Sequence, residues 1–263
     1  MTVITLTTDF GSNDHEAGVL KGVIWKIAPD VKIADLSHEI APYNVMEAAL
    51  LYWRVAPYFP PGTIHVAVID PGVGTSRRAI AAHIGSQYFV GPDNGVFSLL
   101  QIHNEGKNQL ADFIHLNNPR YWLPEISNVF HGRDIFAPVA AHLAVDIPFQ
   151  SLGSSIKDPV SLEIPKPIPT SSGWIGHVIH IDHFGNLSTN LNISHLKKSK
   201  EVHIKINEVN ITGMVTTFGE RPSGTLIALI DSSGSVAISV VNGSAAQYLN
   251  SSVGDTLELH YHQ

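Results

Sequence analysis

The stretch "TIHVAVID" (residues 63–70) is a run of apolar and β-branched residues that ends in an aspartate. Short runs of this composition are typical of buried strands. The next residues, "PGVGTSRR" (71–78), contain Pro71, Gly72 and Gly74, which predict a tight turn. The sequence therefore places a carboxylate at the end of a buried strand and two arginines just beyond the turn.

The same stretch is the third strand in an alternation of strands and helices. Two similar strands, "VITLTT" and "VKIADLS", precede it along the chain. A segment with apolar residues at helical spacing follows each of them, at 14–29 and 44–59, with Asp14 and Asn44 as the predicted N-caps. This alternation is typical of a mostly parallel sheet with helices packed on its faces.

The composition changes after this region. The segment "EIPKPIPTSSG" (163–173) is rich in proline, serine and glycine, and the runs after it alternate apolar and polar residues between turn signals. We therefore predict an α/β protein with two domains. An N-terminal α/β domain (1–165) with a mostly parallel central sheet is followed by a linker (166–173) and a C-terminal antiparallel β-barrel domain (174–263).

Composition excludes several classes of protein. The 263 residues are 44% apolar and 15% charged, which is typical of a globular chain, and the net charge is −7. This negative charge, without a basic tract of five or more residues, argues against a nucleic-acid or membrane-surface partner. The absence of cysteine excludes disulfides and thiolate chemistry. No signal peptide and no apolar run of about 18 residues is present, so we expect a cytoplasmic protein.

The turn after Asp70 does not have the spacing of a nucleotide-phosphate loop. A phosphate loop needs a Lys-Ser/Thr pair after its glycines, and a dinucleotide-binding loop must open onto a helix. Here Gly72 and Gly74 are followed by another strand-like run. Asp70 either lies where ligands bind, beyond the carboxyl end of a strand, or caps its own turn.

A second aspartate follows the first strand in the same way. In "TTDFGSNDHE" (7–16), Asp9 is a carboxylate at a strand end, suited to accept hydrogen bonds from the two hydroxyls of a ribose. One alternative is a metal site built from Asp9, Asp14 and His15, to which His131 could contribute. Another is an ordinary helix start, where acidic residues are favoured by the helix dipole.

Three further motifs carry polar side chains at turns. "FHGRDIFAP" (130–138) places His131 in a loop beside a glycine. "IDHFGNLSTN" (181–190) either forms a polar hairpin or presents a carboxylate, an aromatic ring and an amide to a ligand. "IDSSGSVAISVVNGSAA" (230–246) adds two serines at a strand end and a turn whose backbone could read a base edge.

These motifs, together with "GPDNG", occur in one order that resembles the S-adenosyl-L-methionine (SAM) hydroxide adenosyltransferase family. Members are adenosine-forming SAM hydrolases and are related to the SAM-dependent fluorinase and chlorinase. The resemblance covers essentially the whole chain. It implies an N-terminal α/β domain, a C-terminal β-barrel and a homotrimer, with SAM bound between one subunit's N-terminal domain and a neighbour's C-terminal domain. It implies no metal and no cofactor, because SAM is the substrate.

The resemblance also implies roles for individual residues. The motif spacing favours Arg77 over Arg78 as the arginine that acts on water. Many relatives have Asn at the position of Asp231 and Glu at that of Ala237, so the methionine end departs from the family pattern. The implied catalytic residues are Asp70, Arg77 and His131, and the implied substrate-binding residues are Asp9 (ribose), Tyr43 (adenosyl group), Asp182, Phe184 and Asn186 (methionine side), Ser232 and Ser233 (methionine carboxylate) and Val241 (adenine).

Three other functions remain open from the sequence. A chlorinase-like enzyme would transfer the adenosyl group to a halide, although the charge of Asp70 disfavours an anionic nucleophile. A non-catalytic SAM or adenosine binder would not need Asp70, Arg77 and His131 together. A metal-dependent hydrolase would use the acidic cluster near Asp9. For the hydrolase, either Asp70 or His131 could take the proton from water.

Overall fold

The computed structural model of the chain describes residues 2–106, 111–196 and 201–261. These residues form two compact units, Met1–Leu162 and Glu163–Gln263. Within the described residues, no helix has the length and apolar character needed to cross a membrane. The predicted combination of an α/β domain with an antiparallel β-domain is confirmed.

A seven-stranded sheet forms the centre of the first unit. The strands are β1 (Val3–Thr8), β2 (Lys32–Ser37), β3 (Ile64–Val68), β4 (Ala79–Ile84), β5 (Gln87–Pro92), β6 (Ala111–His115) and β7 (Ser154–Ile156). Their order across the sheet is β2-β1-β3-β5-β4-β6-β7. The pairs β2-β1, β1-β3 and β3-β5 are parallel and the other three are antiparallel, so the sheet is mixed.

Helices cover both faces of this sheet, and this burial explains why β3 is apolar except for His65. The helices of this unit are α1 (Glu16–Ile27), α2 (Val45–Val55), α3 (Ser98–Glu105) and α4 (Ala137–Ala144). Val66 and Val68 of β3 pack in one core with α1 and α4. Ala67 and Ile69 point to the opposite face and pack in a second core with α2 and α3. Successive side chains alternate between the faces, so a strand buried on both is almost wholly apolar, and the polar side chain of β3 is the buried His65.

The two predicted N-caps have different outcomes. The Asn44 side chain accepts the backbone N–H of Glu47 at 3.1 Å, which confirms it as the cap of α2. The prediction for Asp14 is wrong, because α1 begins at Glu16 and its N-cap is His15. The His15 side chain makes no capping hydrogen bond. Asp14 therefore belongs to the loop between β1 and α1.

The second unit is an antiparallel sheet of eight strands. They are β8 (Ile168–Pro169), β9 (Gly173–Ile181), β10 (Leu187–Asn192), β11 (Val202–Ile206), β12 (Val209–Thr212), β13 (Leu226–Ile230), β14 (Ser235–Val240) and β15 (Thr256–Tyr261). Seven of them run in the order β12-β11-β15-β9-β10-β14-β13, and β8 pairs with β9. Beyond β12, the Val215 N–H donates to the Ala228 carbonyl of β13 at 2.9 Å, which brings the two ends of the sheet together as a nearly closed barrel.

Two segments of this unit are predicted from the sequence, one as a hairpin and one as a linker. The predicted hairpin in "INEVN" is the β11–β12 turn, where Asn207 and Glu208 both have positive φ, as a two-residue hairpin requires. The segment predicted as a linker contains β8, which pairs with β9. A short helix, α5 (Ala245–Leu249), follows β14.

His65 makes the stability of the first unit sensitive to pH. It lies fully buried in β3, with Nδ1 2.8 Å from Thr5 Oγ1 and its ring stacked on Phe89. Burial lowers the pKa of His65 to about 4. The unfolded chain binds that proton near pH 6.5, so acid stabilises the unfolded state by roughly 3 kcal/mol between pH 6.5 and 4.

We therefore expect the thermal unfolding midpoint to fall over this pH range, and to fall less steeply in His65→Gln. His15→Gln is the matched control, because the side chain of His15 is 83% exposed and this substitution should leave the slope unchanged. Differential scanning fluorimetry across pH 4–7.5 measures the slopes. Equal slopes for wild type and His65→Gln would contradict this account of His65.

Candidate active site

The carboxyl ends of two neighbouring parallel strands carry the aspartates singled out from the sequence. Asp9 follows β1, and Asp70 lies two residues after β3. Parallel neighbours end at the same edge of a sheet, and ligands of α/β sheets bind beyond that edge. A pocket of about 340 Å³ lies there, and both aspartates line it together with Tyr43 and His131.

Asp70 and His131 line this pocket, and Arg77, which does not line it, contacts both of them. Arg77 Nε donates to Asp70 Oδ1 at 2.8 Å, Arg77 Nη2 donates to Asp70 Oδ2, and Nη2 also lies 3.0 Å from His131 Nδ1. The Asp70 and Arg77 side chains are 6% and 10% exposed. A two-pronged contact of this kind fixes the guanidinium in both position and orientation.

The turn between Asp70 and Arg77 makes this contact possible. The Val73 N–H donates to the Asp70 carbonyl at 3.2 Å, and the Thr75 N–H donates to the Gly72 carbonyl at 3.2 Å. Gly74 has a φ of +75°, and a Cβ there would lie 2.1 Å from the Asn128 carbonyl oxygen. The position therefore requires glycine, and the turn folds the chain back so that Arg77 reaches Asp70.

The two neighbouring arginines have different partners. Arg78 donates to Asp93 at 2.7 Å and to Asp158 at 2.9 Å, and Asp93 also accepts the Val160 N–H. Arg78 thus ties the "GPDNG" motif to the end of the first unit. In the same motif, Asn94 donates to the carbonyl of Ile69 at 2.9 Å and supports the residue before Asp70. Arg77 is the arginine that contacts the pocket residues.

The surroundings of His131 keep its imidazole neutral. Burial lowers the pKa of His131, and the Arg77 charge lowers it further, while Asp70 and Asp134 oppose the shift. An arginine can only donate, so the His131 Nδ1 that faces it is an acceptor. A neutral imidazole carries one proton, which therefore lies on Nε2.

A buried carboxylate, that of Asp134, holds the segment that carries His131 in place. His131 precedes a π-helical turn, Gly132–Phe136, that leads into α4. Asp134 is fully buried and accepts the Ser127 N–H at 2.7 Å and the Arg133 Nε at 2.6 Å. Turns of this type are frequent at functional sites, because they widen the helix locally and re-aim a side chain.

Asp9 has a backbone partner in an unusual conformation. The Tyr43 N–H donates to Asp9 Oδ2 at 2.9 Å. Tyr43 has a φ of +66°, in the left-handed region that costs a non-glycine residue roughly 1–3 kcal/mol. The residue is 71% exposed and lines the pocket. A strained backbone that binds a carboxylate and exposes an aromatic ring is a marker of a functional site.

Two aromatic residues of the pocket were not predicted from the sequence. Phe10 and Phe130 line the pocket, and their rings meet edge to face at 5.7 Å. The guanidinium of Arg133 lies over the Phe130 ring at 5.3 Å from its centroid. Both phenylalanines directly neighbour a candidate residue in their motifs, which is the signal that could have found them.

The predicted methionine-side residues lie together in the turn between β9 and β10. One oxygen of Asp182 accepts the N–H groups of Phe184 and Asn186, each at 2.9 Å, and the other accepts Asn186 Nδ2 at 2.8 Å. Phe184 is 74% exposed. The turn therefore presents a carboxylate beside an open aromatic face, which suits an ammonium group on a short apolar chain.

Ser232 and Ser233 lie in the turn between β13 and β14 and differ in their contacts. The Ser233 hydroxyl donates to Asp231 at 2.6 Å, and its N–H donates to the same carboxylate oxygen at 2.8 Å. Ser232 is exposed. The proton of the Ser233 hydroxyl is thus already used, so Ser232 is the better placed of the two to donate to a ligand carboxylate.

Both backbone polar groups of Val241 already form hydrogen bonds. Its N–H donates to the Thr225 carbonyl at 3.0 Å, and its carbonyl accepts the Gly224 N–H at 2.8 Å. A carbonyl oxygen has a second lone pair, which is the group left at Val241 to accept a bond from an adenine edge. Its contact with adenine stays a prediction.

The alternative metal site is not assembled in the part of the chain that the structure describes. Across residues 2–106, 111–196 and 201–261, no group of three or more His, Cys, Asp or Glu side chains is arranged to hold a metal ion. His15 instead lies 4.0 Å from Glu16.

Comparison with known proteins assigns the chain to a family. The SAM hydroxide adenosyltransferase N-terminal domain matches residues 4–153, and the corresponding C-terminal domain matches residues 176–258. The chain is 36% identical to a protein of Salinispora arenicola named (R)-S-adenosyl-L-methionine hydrolase, over 97% of each chain. It is also 36% identical to a protein of that name from Thermus thermophilus, over 98% of this chain and 100% of the relative.

A solved structure has the same fold. The crystal structure of an uncharacterized conserved protein from Thermotoga maritima superposes with a TM-score of 0.90 at 34% identity, covering 99% of this chain and 100% of that one. The two domain matches span most of the chain in the expected order. The chain belongs to the SAM hydroxide adenosyltransferase family.

Proposed function

We propose that this protein hydrolyses SAM to adenosine and L-methionine. The observation that carries the proposal is the contact of Arg77 with both Asp70 and His131, two residues that line one pocket together with Asp9. A carboxylate, a fixed cation and a neutral imidazole suit the handling of one small oxygen nucleophile. Two similar proteins carry the name (R)-S-adenosyl-L-methionine hydrolase, so we propose the (R) epimer at sulfur as the substrate.

The reaction is a displacement at the C5′ carbon of the adenosyl group. The water oxygen forms a bond to C5′ while the C5′–S bond breaks, and the electron pair of that bond stays on sulfur. Methionine leaves as a neutral thioether, so its departure needs neither a proton nor a metal ion. The protein must hold the water in line with the breaking bond, about 3–3.5 Å from C5′.

We propose that Asp70, Arg77 and His131 each have a separate role in activating water. Arg77 supplies a positive charge that stabilises negative charge developing on the attacking oxygen. His131 can donate from Nε2 to that oxygen, because its Nδ1 is engaged by Arg77. The proton released by water then goes to Asp70. An alcohol oxygen that carries an extra proton is a strong acid, so it gives this proton up readily to a neighbouring carboxylate.

The remaining residues are proposed to hold the substrate. Asp9 accepts the ribose hydroxyls, Tyr43 lies along the adenosyl group, and Asp182 and Phe184 take the ammonium group and chain of methionine. We propose a cytoplasmic homotrimer without metal or cofactor, in line with the family resemblance. Light scattering tests the assembly, for which we expect three chains of 28.5 kDa.

Product analysis tests the proposed function. The purified protein is incubated with resolved (R)- and (S)-SAM, after exhaustive chelation, and the products are separated by chromatography. We expect equal amounts of adenosine and methionine, formed faster from the (R) epimer. High chloride should leave the products unchanged. 5′-Chloroadenosine as the main product would support a halide transferase, and SAM bound without turnover would support a binding protein.

Substitution of the two arginines separates a catalytic effect from a structural one. Arg77→Gln removes the charge beside the water, so we expect kcat to fall about 10²–10³-fold. Arg78→Gln is the matched control, because it breaks contacts with Asp93 and Asp158 outside the pocket. It should lower the thermal midpoint and change kcat by less than about threefold. A loss of kcat in Arg78→Gln as large as that in Arg77→Gln would contradict the assignment.

The pH dependence tests the role of neutral His131. Protonation would place an N–H donor against the Arg77 guanidinium, so we expect the single-turnover rate to fall on the acid side. Because burial and Arg77 lower the pKa of His131, this loss should begin below the ordinary value of about 6.5. His131→Asn should be slower and lack this acid limb. An unchanged acid limb in His131→Asn would show that another group titrates.

A further inference from the structure

We infer that His38 is a positioning residue for the ribose-binding carboxylate: its ring holds Thr8, the residue before Asp9, and so fixes the loop from which Asp9 reaches the pocket. The inference rests on the proposed function, in which Asp9 binds the ribose. His38 directly follows β2, the strand beside β1, and 11% of its side chain is exposed. It does not line the pocket.

His38 contacts the chain on both sides of Asp9. Its Nδ1 lies 2.9 Å from Thr8 Oγ1, and its carbonyl accepts the Gly11 N–H at 2.7 Å. Thr8 is fully buried, and its Oγ1 also accepts the Phe10 N–H at 3.3 Å. The backbone that carries Asp9 is therefore fixed immediately before and after this residue.

The far side of the His38 ring faces a charged pair. Its Nε2 lies 3.2 Å from Asp35 Oδ1, and Lys21 Nζ lies 2.5 Å from Asp35 Oδ2. Burial raises the pKa of the Asp35 carboxyl, but the hydrogen bond from Lys21 and the nearby His38 ring outweigh it and hold the pKa below its usual value. Asp35 is thus an acceptor, so the His38 nitrogen that faces it carries a proton.

The position of that proton gives the network a direction. With the proton on Nε2, Nδ1 can accept the proton of the Thr8 hydroxyl. The same hydroxyl oxygen accepts the Phe10 N–H. Thr8 can therefore hold the Phe10 backbone and the His38 ring at once, and loss of Nδ1 removes the anchor of the Thr8 rotamer.

The position of the Asp9 carboxylate depends on two contacts: the Thr8–His38 contact fixes the backbone before it, and the Tyr43 N–H binds one of its oxygens. Asp9 Oδ2 accepts the N–H of Tyr43, which is itself in a left-handed conformation. Two hydroxyls of a ribose require both oxygens of one carboxylate in a fixed plane. A rotation of the Asp9 backbone would move that plane, so His38 should affect substrate affinity more than the chemical step.

Two substitutions at His38 separate its two nitrogens. Asn places a side-chain oxygen where Nδ1 lies and loses the Asp35 contact, whereas Gln reaches toward Asp35 and loses the Thr8 contact. We expect His38→Gln to raise the KM for SAM and the Kd for adenosine about tenfold, the effect of one lost hydrogen bond. We expect His38→Asn to raise both less than threefold, with kcat within twofold of wild type in each variant.

Steady-state kinetics and adenosine titration calorimetry measure these values, and the thermal midpoint reports any general loss of structure. Thr8→Val removes the same bond from the other side. It should raise KM as His38→Gln does, and the double variant should be no worse than either single one. This second substitution also tests the contact if His38→Gln does not fold.

The possible failures are distinguishable. Equal changes in His38→Asn and His38→Gln, additive effects with Thr8→Val, or a loss confined to kcat would overturn the role of His38 while leaving the hydrolase intact. A wild-type protein that neither binds adenosine nor turns over SAM would overturn the proposed function, and this inference with it.

Discussion

The ion pair between Asp70 and Arg77 is the interaction on which the rest of the site depends. Both side chains are almost fully buried, and removal of either partner from such a pair costs about 3–5 kcal/mol because the other charge stays uncompensated. The same guanidinium sits against His131 Nδ1 and lies 5.3 Å from the centroid of the Phe136 ring. The Arg77 guanidinium therefore fixes the Asp70 carboxylate, makes His131 Nδ1 an acceptor and packs on the Phe136 ring.

The fold supplies this pair with a rigid support. β1 and β3 are parallel neighbours buried on both faces, so their carboxyl ends bring Asp9 and Asp70 to one edge. A tight turn with a required glycine returns Arg77 to that edge. His131 comes from a separate segment of the chain, which the buried Asp134 holds in place. These elements place a potential ribose ligand and a potential water ligand in one pocket.

Much of this arrangement could be predicted from the sequence, because it follows from strand ends and turn residues. The alternation of strands and helices predicted the α/β domain, and Asp70 beyond the third strand predicted a site at its edge. Physical arguments from the sequence could not distinguish the roles of Arg77 and Arg78. Arg77 reaches Asp70 only because the turn between them folds back, and Arg78 pairs with Asp93, which lies beyond the next two strands. Nor could it reveal the left-handed Tyr43 or the Asp14 cap that does not form, because both depend on how the loops after β1 and β2 pack.

The central claim is that a water oxygen bonds to C5′ of SAM in the pocket of Asp70, Arg77 and His131. A single turnover in water enriched in ¹⁸O, with enzyme in excess and the products analysed by mass spectrometry, tests it most directly. We expect one ¹⁸O atom in the 5′-hydroxyl of adenosine and none in methionine. Unlabelled adenosine, or label in an amino-acid product released together with a 5′-thionucleoside, would contradict it.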